Sequence, residues 1–254
     1  MSHPEPGTSQ TGPAAPPRAR LSWAAALALV SLVATFGLWF QTRQELASLR
    51  ADQRALLAEL NAARGTPVID IAGAPVEGSA NAPVTLIEFA DYECPFCIRH
   101  FTQTMPMIDA NYIKTGKVRY VFRDLPIDSL HPGAIRAHEA ARCATEQGRF
   151  WELHARLFSA PGSHSDAALE SRAAEAGLNA DAFRACLASG RTEAAVRQSV
   201  AAAGQLGANG TPTFFIGIKD NGNPDQIRIV QALAGAQPYS EFEKALEAVR
   251  KQVN

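Results

Sequence analysis

The chain has 254 residues, a formal net charge of −1, and 46% hydrophobic against 19% charged residues, enough apolar material for one substantial core. No basic block occurs along it, which argues against a partner such as nucleic acid that is held through its phosphates. Four cysteines are present, and since only Cys94 and Cys97 stand close together the count alone does not assign a redox compartment.

Residues 1–20 carry Pro4, Pro6, Pro13, Pro16 and Pro17 among Gly, Ser and Thr, the composition of a disordered tail. Residues 21–40, from Leu21 to Phe40, contain no charge; as a helix they extend about 30 Å, the thickness of a bilayer's hydrocarbon. Trp23, Trp39 and Phe40 sit near its two ends, where amphipathic aromatics settle. A cleaved signal peptide has a shorter apolar region and a small-x-small site, and Phe36-Gly37-Leu38-Trp39-Phe40 offers none, so the segment reads as an uncleaved transmembrane anchor. Arg18 and Arg20 precede it while Arg43, Arg50 and Arg54 follow, so flanking charge does not orient it.

Gln41 to Arg64 has no Pro or Gly and predicts a continuous helix. Leu46, Leu49, Gln53, Leu56 and Leu60 alternate at spacings of three and four, an a/d seam of about two heptads. The seam serves either a coiled-coil stalk that makes a homo-oligomer or a solvated spacer helix. Gly65-Thr66-Pro67 ends it, so residues 41–66 form the stalk and 67–254 the globular domain.

Within that domain Val68 to Ile71 predicts a short edge strand, and Gly73 to Pro83 a turn-rich approach to the strand Val84 to Ala90. A helix from Pro95 to about Lys114 follows, closed by Gly116, and then Val118 to Phe122 as an alternating strand. Strand, helix and strand at these lengths predict a βαβ unit with a parallel pair. Residues from about Pro132 to Leu206 read as an inserted all-α region, with Asn179-Ala180-Asp181 capping the helix that bears Cys186. Thr213 to Ile218, a turn through Asp220 to Pro224, and Ile227 to Val230 predict an antiparallel hairpin. Pro238 to Val253 closes the chain as an amphipathic helix with Phe242, Leu246 and Val249 inward.

The chemistry concentrates in Glu88 to Cys97. Glu88 is one carboxylate in an otherwise apolar strand. Pro95 suits the first position of a helix, which makes Cys94 the N-cap and sets Cys97 one turn in. Unpaired N–H groups and the dipole at a helix start favour thiolate over thiol, so Cys94 is expected to be an exposed nucleophile. Cys97 shares its helix face and can resolve a mixed disulfide formed there.

Cys94-Pro95-Phe96-Cys97, Glu88 six residues upstream, Gly210-Thr211-Pro212-Thr213-Phe214-Phe215, and an insertion carrying His131-Pro132, Cys143, Gly148-Arg149-Phe150-Trp151 and His154 together resemble the DsbA-like branch of the thioredoxin superfamily. The resemblance covers roughly Ala74 to Val249. It implies an α/β thioredoxin fold with an inserted all-α subdomain at about 127–209, preceded here by a transmembrane helix and a helical stalk.

The resemblance also implies a thiol-disulfide oxidoreductase acting on exported protein thiols or disulfides. Pro212 corresponds to the family's cis-proline, at the first residue of an edge-forming strand, and Thr211 with Pro212, Pro95 and Phe96 forms the substrate site. The backbone of Thr211 pairs with an extended substrate chain. Glu88 reads either as a partly solvated strand residue or as a buried acid that exchanges a proton with Cys97. A membrane redox partner that resets the pair is implied, with no metal or organic cofactor.

A disulfide exchanger on a membrane stalk belongs on the oxidising side, which places residues from 41 onward on the periplasmic or extracytoplasmic side. Phe96 stands where the strongest oxidases of the branch carry histidine, which predicts a milder oxidant. Cys143 and Cys186 form either a structural disulfide closing a loop of about 43 residues or two separate buried thiols; zinc binding by all four cysteines lacks ligand spacing. His100 reads as a surface residue, and His131, His138 and His154 as core or surface residues. Two rival activities share the motif: an oligomeric isomerase or reductase, and a non-catalytic binding or chaperone module.

Overall fold

The computed structural model describes residues 23, 32, 36–50, 52–53, 65–159 and 162–253. The chain divides into two units, Met1–Ala63 and Arg64–Asn254. In the first, residues 36–50 are helical. Most of the 21–40 span and of the a/d seam beyond Leu49 lies outside the described residues. Among the described residues no helix is long and apolar enough to cross a membrane.

The second unit is built on a six-stranded sheet. In chain order it contains β1 (Val68–Asp70), β2 (Val76–Glu77) and β3 (Val84–Ala90). A long helix α1 follows, running through an α-helical turn Pro95–Arg99, a π-helical turn His100–Thr104, a second α-turn Met105–Ile108 and a second π-turn Asp109–Ile113. Then come β4 (Val118–Asp124), five helices α2 (Ala134–Thr145), α3 (Phe150–Ser159), α4 (Asp166–Glu175), α5 (Ala180–Ser189) and α6 (Glu193–Gln205), strands β5 (Thr213–Asp220) and β6 (Asn223–Ala234), and α7 (Tyr239–Val253).

The strand order is β1-β6-β5-β3-β4-β2. β3 runs parallel to β4, with Glu88 opposite Phe122, and antiparallel to β5, with Glu88 opposite Phe214. The βαβ unit, the hairpin and the helical insertion of the sequence reading are all present. The hairpin strands are longer than expected because the turn is only Asn221-Gly222, both with positive φ, the two-residue geometry whose twist matches paired strands.

Alternation along β3 divides the core. Leu86 and Ala90 join Phe122, Phe214, Phe242, Leu246, Cys94 and Cys97 on one face. Ile87 and Phe89 join Val121, Phe215, Ile227 and Ala203 on the other. Glu88 shares the face of Leu86 and Ala90, so the period of the strand sends its carboxyl toward the cysteines.

Three expectations need correction. β4 does not alternate between core and solvent, because all seven residues are buried. Its polar face is covered as well, and its arginines are satisfied in place: Arg119 Nε donates to Thr85 Oγ1 at 2.9 Å and Arg123 Nη1 to the Asp70 carbonyl at 2.8 Å. The approach to β3 contains β2, which pairs antiparallel with β4 and is too short to carry a periodicity. The helix after Cys94 is not uniform, since Pro106 has no N–H and its ring excludes the carbonyl one turn back, conditions that favour a wide turn.

Candidate active site

Cys94 is the N-cap of α1, with Pro95 in the first turn, and both Cys94 and Cys97 are free thiols. The segment entering the helix is held by Asp91. Its carboxylate accepts from the backbone N–H of Glu93 at 2.8 Å and of Ile127 at 2.7 Å, and contacts His131 Nδ1 at 2.8 Å. The Asp91 N–H in turn points at Cys97 Sγ, 3.5 Å away. Three partners on one buried carboxylate leave the cysteine loop little freedom.

From the far end of the sequence the Thr211–Pro212 bond, which is cis, brings the Thr211 carbonyl within 3.4 Å of Cys94 Sγ, and as a thiol Cys94 donates to it. The strand that begins after Pro212 is not an edge strand as expected: β5 lies between β6 and β3. Pro212 nevertheless precedes the first residue of β5, so its missing N–H interrupts no ladder. Its carbonyl accepts from Gly235 N at 2.8 Å.

The two sulfurs are driven apart in proton affinity. A hydrogen bond from the Cys97 side chain is the main cause that lowers the Cys94 thiol to about 5, against an opposing effect of burial. The Thr211 hydroxyl and the Cys97 and Phe96 amides assist from nearby without completing hydrogen bonds to the sulfur. Burial raises the Cys97 thiol far above its ordinary value, and the hydrogen bond with Cys94 and the charge of Glu88 push the same way. Cys94 is only 5% exposed and Cys97 fully buried, so the expected exposed nucleophile is a recessed one. Phe96 beside it is 54% exposed and carries the Arg99 guanidinium over its ring at 5.1 Å.

Glu88 is buried, which rejects the partly solvated alternative. Desolvation raises its carboxyl to about 8 although a hydrogen bond from Tyr120 opposes the shift. The Tyr120 hydroxyl donates to Glu88 Oε2 at 2.5 Å. His100, expected at the surface, is 1% exposed; its Nε2 lies 3.9 Å from the same oxygen. Three residues past Cys97, it stands on the same helical face, which Phe214 of β5 and Phe242 of α7 cover.

His154 and His138 serve packing and polar networks. His154 Nδ1 meets the Tyr92 hydroxyl at 3.0 Å, and His138 Nδ1 meets Asp124 Oδ1 at 2.8 Å. Cys143 and Cys186 are bridged, with Cα atoms 5.8 Å apart, joining α2 to α5. The four cysteines therefore make two separate pairs. Among the described residues no group of three or more His, Cys, Asp or Glu side chains is arranged to hold a metal ion.

Sequence reasoning missed Tyr120, Asp91 and His131 as parts of this site. Asp91 had a readable signal, an Asx residue two before an N–H that needs fixing ahead of an N-cap. Tyr120 had none, because its position opposite β3 depends on register.

A free thiol pair at a strand-to-helix junction, facing a cis-prolyl loop on a mixed α/β sheet with a helical insertion, defines the thioredoxin-like class of thiol-disulfide oxidoreductase folds. A family model described as Thioredoxin matches residues 71–248, and the chain belongs to that family. The thioredoxin-like oxidoreductase of Silicibacter pomeroyi DSS-3 is 30% identical and superimposes with a TM-score of 0.59 over 71% of this chain and 94% of that one. Alpha-DsbA1 of Wolbachia pipientis, 22% identical, shares the fold with a TM-score of 0.63 over 73% of this chain and 94% of its own. The Na(+)/H(+) antiporter NhaA 3 of Salinispora tropica is 37% identical over 209 residues, which are 79% of this chain and 31% of that protein. The chain thus spans about a third of the length of that curated relative.

Proposed function

We propose that the protein is a thiol-disulfide oxidoreductase that forms or exchanges disulfides in exported proteins through Cys94 and Cys97. The observation that carries the reading is a free thiol pair at a helix start with the Thr211 carbonyl, before a cis-proline, 3.4 Å from Cys94 Sγ; the Cys94 thiol is lowered to about 5 and burial raises that of Cys97. At neutral pH Cys94 is a thiolate, stable as a leaving group and able to attack, while Cys97 stays a thiol until the reaction calls on it.

In the oxidising direction a substrate thiolate attacks Cys94 Sγ of the closed pair, and the electron pair of the broken S–S bond passes to Cys97. A second substrate thiolate then attacks its own sulfur in the mixed disulfide, which releases Cys94 as thiolate and leaves the substrate oxidised by two electrons. Run in reverse, Cys94 attacks a substrate disulfide and Cys97 resolves the adduct. Thr211 offers its backbone to the incoming chain beside the sulfur, and Phe96 offers an exposed apolar contact. Phe96 in place of a cation leaves the Cys94 thiolate with one stabilising partner fewer, which makes the pair a moderate rather than an extreme oxidant.

The uncharged 21–40 run supports a membrane anchor with the domain outside the cytosol, and the 41–64 seam supports self-association. A membrane-bound electron acceptor, or donor for the reverse direction, closes the cycle. The deciding measurement is the reduction potential of the Cys94–Cys97 pair against glutathione, together with catalysis of disulfide formation in a reduced substrate. A potential between about −120 and −270 mV supports an exchanger, whereas one below about −300 mV is that of an inert structural bridge and overturns the reading. Labelling of the full chain by an impermeant maleimide in intact cells tests the outward placement.

A further inference from the structure

The polar cluster around Glu88 holds more than the carboxyl that sequence reasoning picked out. Glu88 is faced by titratable groups from several elements. β4 supplies Tyr120, whose hydroxyl donates to Oε2 at 2.5 Å. α1 supplies Cys97, which feels the Glu88 charge, and His100, whose Nε2 is 3.9 Å from Oε2. Tyr92, just past the end of β3, is coupled to it more weakly. β5 and α7 contribute only rings, since Phe214 and Phe242 pack against the His100 imidazole with centroids 4.5 and 5.0 Å away.

Neither ring nitrogen of His100 has a hydrogen-bond partner. An unpartnered buried polar group costs about 1–3 kcal/mol, and a phenylalanine would fill this aromatic nest without that cost. The nitrogen nearest a buried carboxyl oxygen is therefore the feature that asks for a use. Its separation from Oε2 exceeds a hydrogen bond by roughly 1 Å, a gap that side-chain rotation closes once charge appears on the carboxylate.

We propose that His100 and Tyr120 are positioning residues that together hold the Glu88 carboxylate while its proton resides on Cys97. The proposal rests on the thiol-disulfide reading above and adds two residues to it. When a substrate thiolate attacks Cys94 and the S–S electron pair moves to Cys97, the Glu88 O–H proton passes to that sulfur and the carboxylate is left in the core. Tyr120 already donates to it, and the His100 Nε2–H supplies the second donor. In the resolving direction Glu88 takes the proton back as Cys97 attacks Cys94 and the substrate sulfur departs. Burial lowers His100 to about 3, so it serves as a neutral donor and not as a cation.

The test uses the full chain, reduced and then mixed with oxidised glutathione, and follows release of glutathione from the Cys94 adduct as a function of pH. The wild-type rate is expected to rise through an inflection near 8, the value to which Glu88 is raised. His100→Phe and Tyr120→Phe each remove a donor to the carboxylate and are expected to move the inflection upward and slow release at pH 7 by about 3–10-fold. His100→Gln, which restores a neutral N–H donor, is expected to return the rate to within about twofold of wild type. If Glu88→Gln abolishes the inflection while His100→Phe and Tyr120→Phe leave both inflection and rate as in wild type, the positioning roles are overturned and thiol exchange stands. If the wild-type chain forms no glutathione adduct at Cys94, thiol exchange and the positioning roles are overturned together.

Discussion

The two cysteine pairs of the globular unit share a residue type and a depth of burial but not a chemistry. Cys143 and Cys186 are 0% and 1% exposed and bridged; Cys97 and Cys94 are 0% and 5% exposed and free. Exposure therefore does not separate the inert pair from the reactive one. The difference lies in asymmetry. The helical bridge joins two buried apolar settings, while Cys94 sits at a helix start beside a peptide carbonyl and Cys97 feels the charge of the buried Glu88. Two sulfurs with opposed proton affinities make a bond that opens in a defined direction.

The largest way to break the comparison is to remove one sulfur from each pair. Cys94→Ser is expected to lower disulfide exchange by at least ~10³-fold with the fold retained, because no other nucleophile stands at the helix start. Cys97→Ser is expected to trap the substrate on Cys94 as a mixed disulfide, visible as a mass adduct. Replacing Cys143 and Cys186 together by Ser acts on stability instead. For a sequence separation of 43 the chain-entropy relation gives about 4 kcal/mol lost, read as a lower denaturant midpoint. Exchange at 25 °C is expected to stay within about twofold of wild type, and a parallel loss of activity would show that the helical bridge takes part in the chemistry.

Glu88 sharpens the same contrast through pH. Its carboxyl is raised to about 8 in the folded chain, above its ordinary unfolded value. Between roughly 4.5 and 8 the folded state thus holds a proton that the unfolded chain has released, and stability falls as pH rises through that window. Below about 4.5 both states are protonated and nothing is lost. Glu88→Gln is expected to flatten this slope and to stabilise the protein by roughly 3 kcal/mol at pH 7 and far less at pH 4, measured as urea midpoints across pH. An unchanged slope would mean that the carboxylate is already ionised at neutral pH, which removes the acid on which the proton step at Cys97 depends.

How much of this was legible beforehand follows from where each signal resides. Cys94-Pro95-Phe96-Cys97 after an apolar strand, and Gly210-Thr211-Pro212 before another, are local patterns whose chemistry is written in neighbouring residues, and the structure brings Thr211 to the Cys94 sulfur as read. The hairpin turn, the Asn179 cap, which accepts from Ala182 N at 2.9 Å, and the inward face of α7 were local too. What escaped was non-local. His100 reads as a surface residue, but its face of the helix is covered by Phe214 of β5 and Phe242 of α7, far away in sequence. Tyr120 reaches Glu88 only because β3 and β4 pair in one register. The polar face of β4 was misjudged because its arginines meet partners on β1, β3, α6 and β6, contacts that no window along the chain can display.

The smallest effect probes Phe96, which stands between Pro95 and Cys97 at the helix start. Phe96 sits inside the first turn with its ring more than half exposed, so a substitution there changes the field at Cys94 without disturbing the core. Phe96→His brings a ring that is partly cationic below its ordinary pKa near the thiolate, and it is expected to lower the Cys94 thiol by about half a unit to one unit. Because the thiolate belongs to the reduced form, stabilising it makes the closed pair easier to reduce, so the potential is expected to rise while the melting temperature of the reduced protein stays level or increases slightly. Ultraviolet titration of the thiolate and a glutathione equilibrium measure the two changes on one sample. A Cys94 thiol unmoved by this substitution would assign its acidity to the Cys97 hydrogen bond and the backbone alone, and the contrast between the two pairs would then rest on one sulfur holding the other.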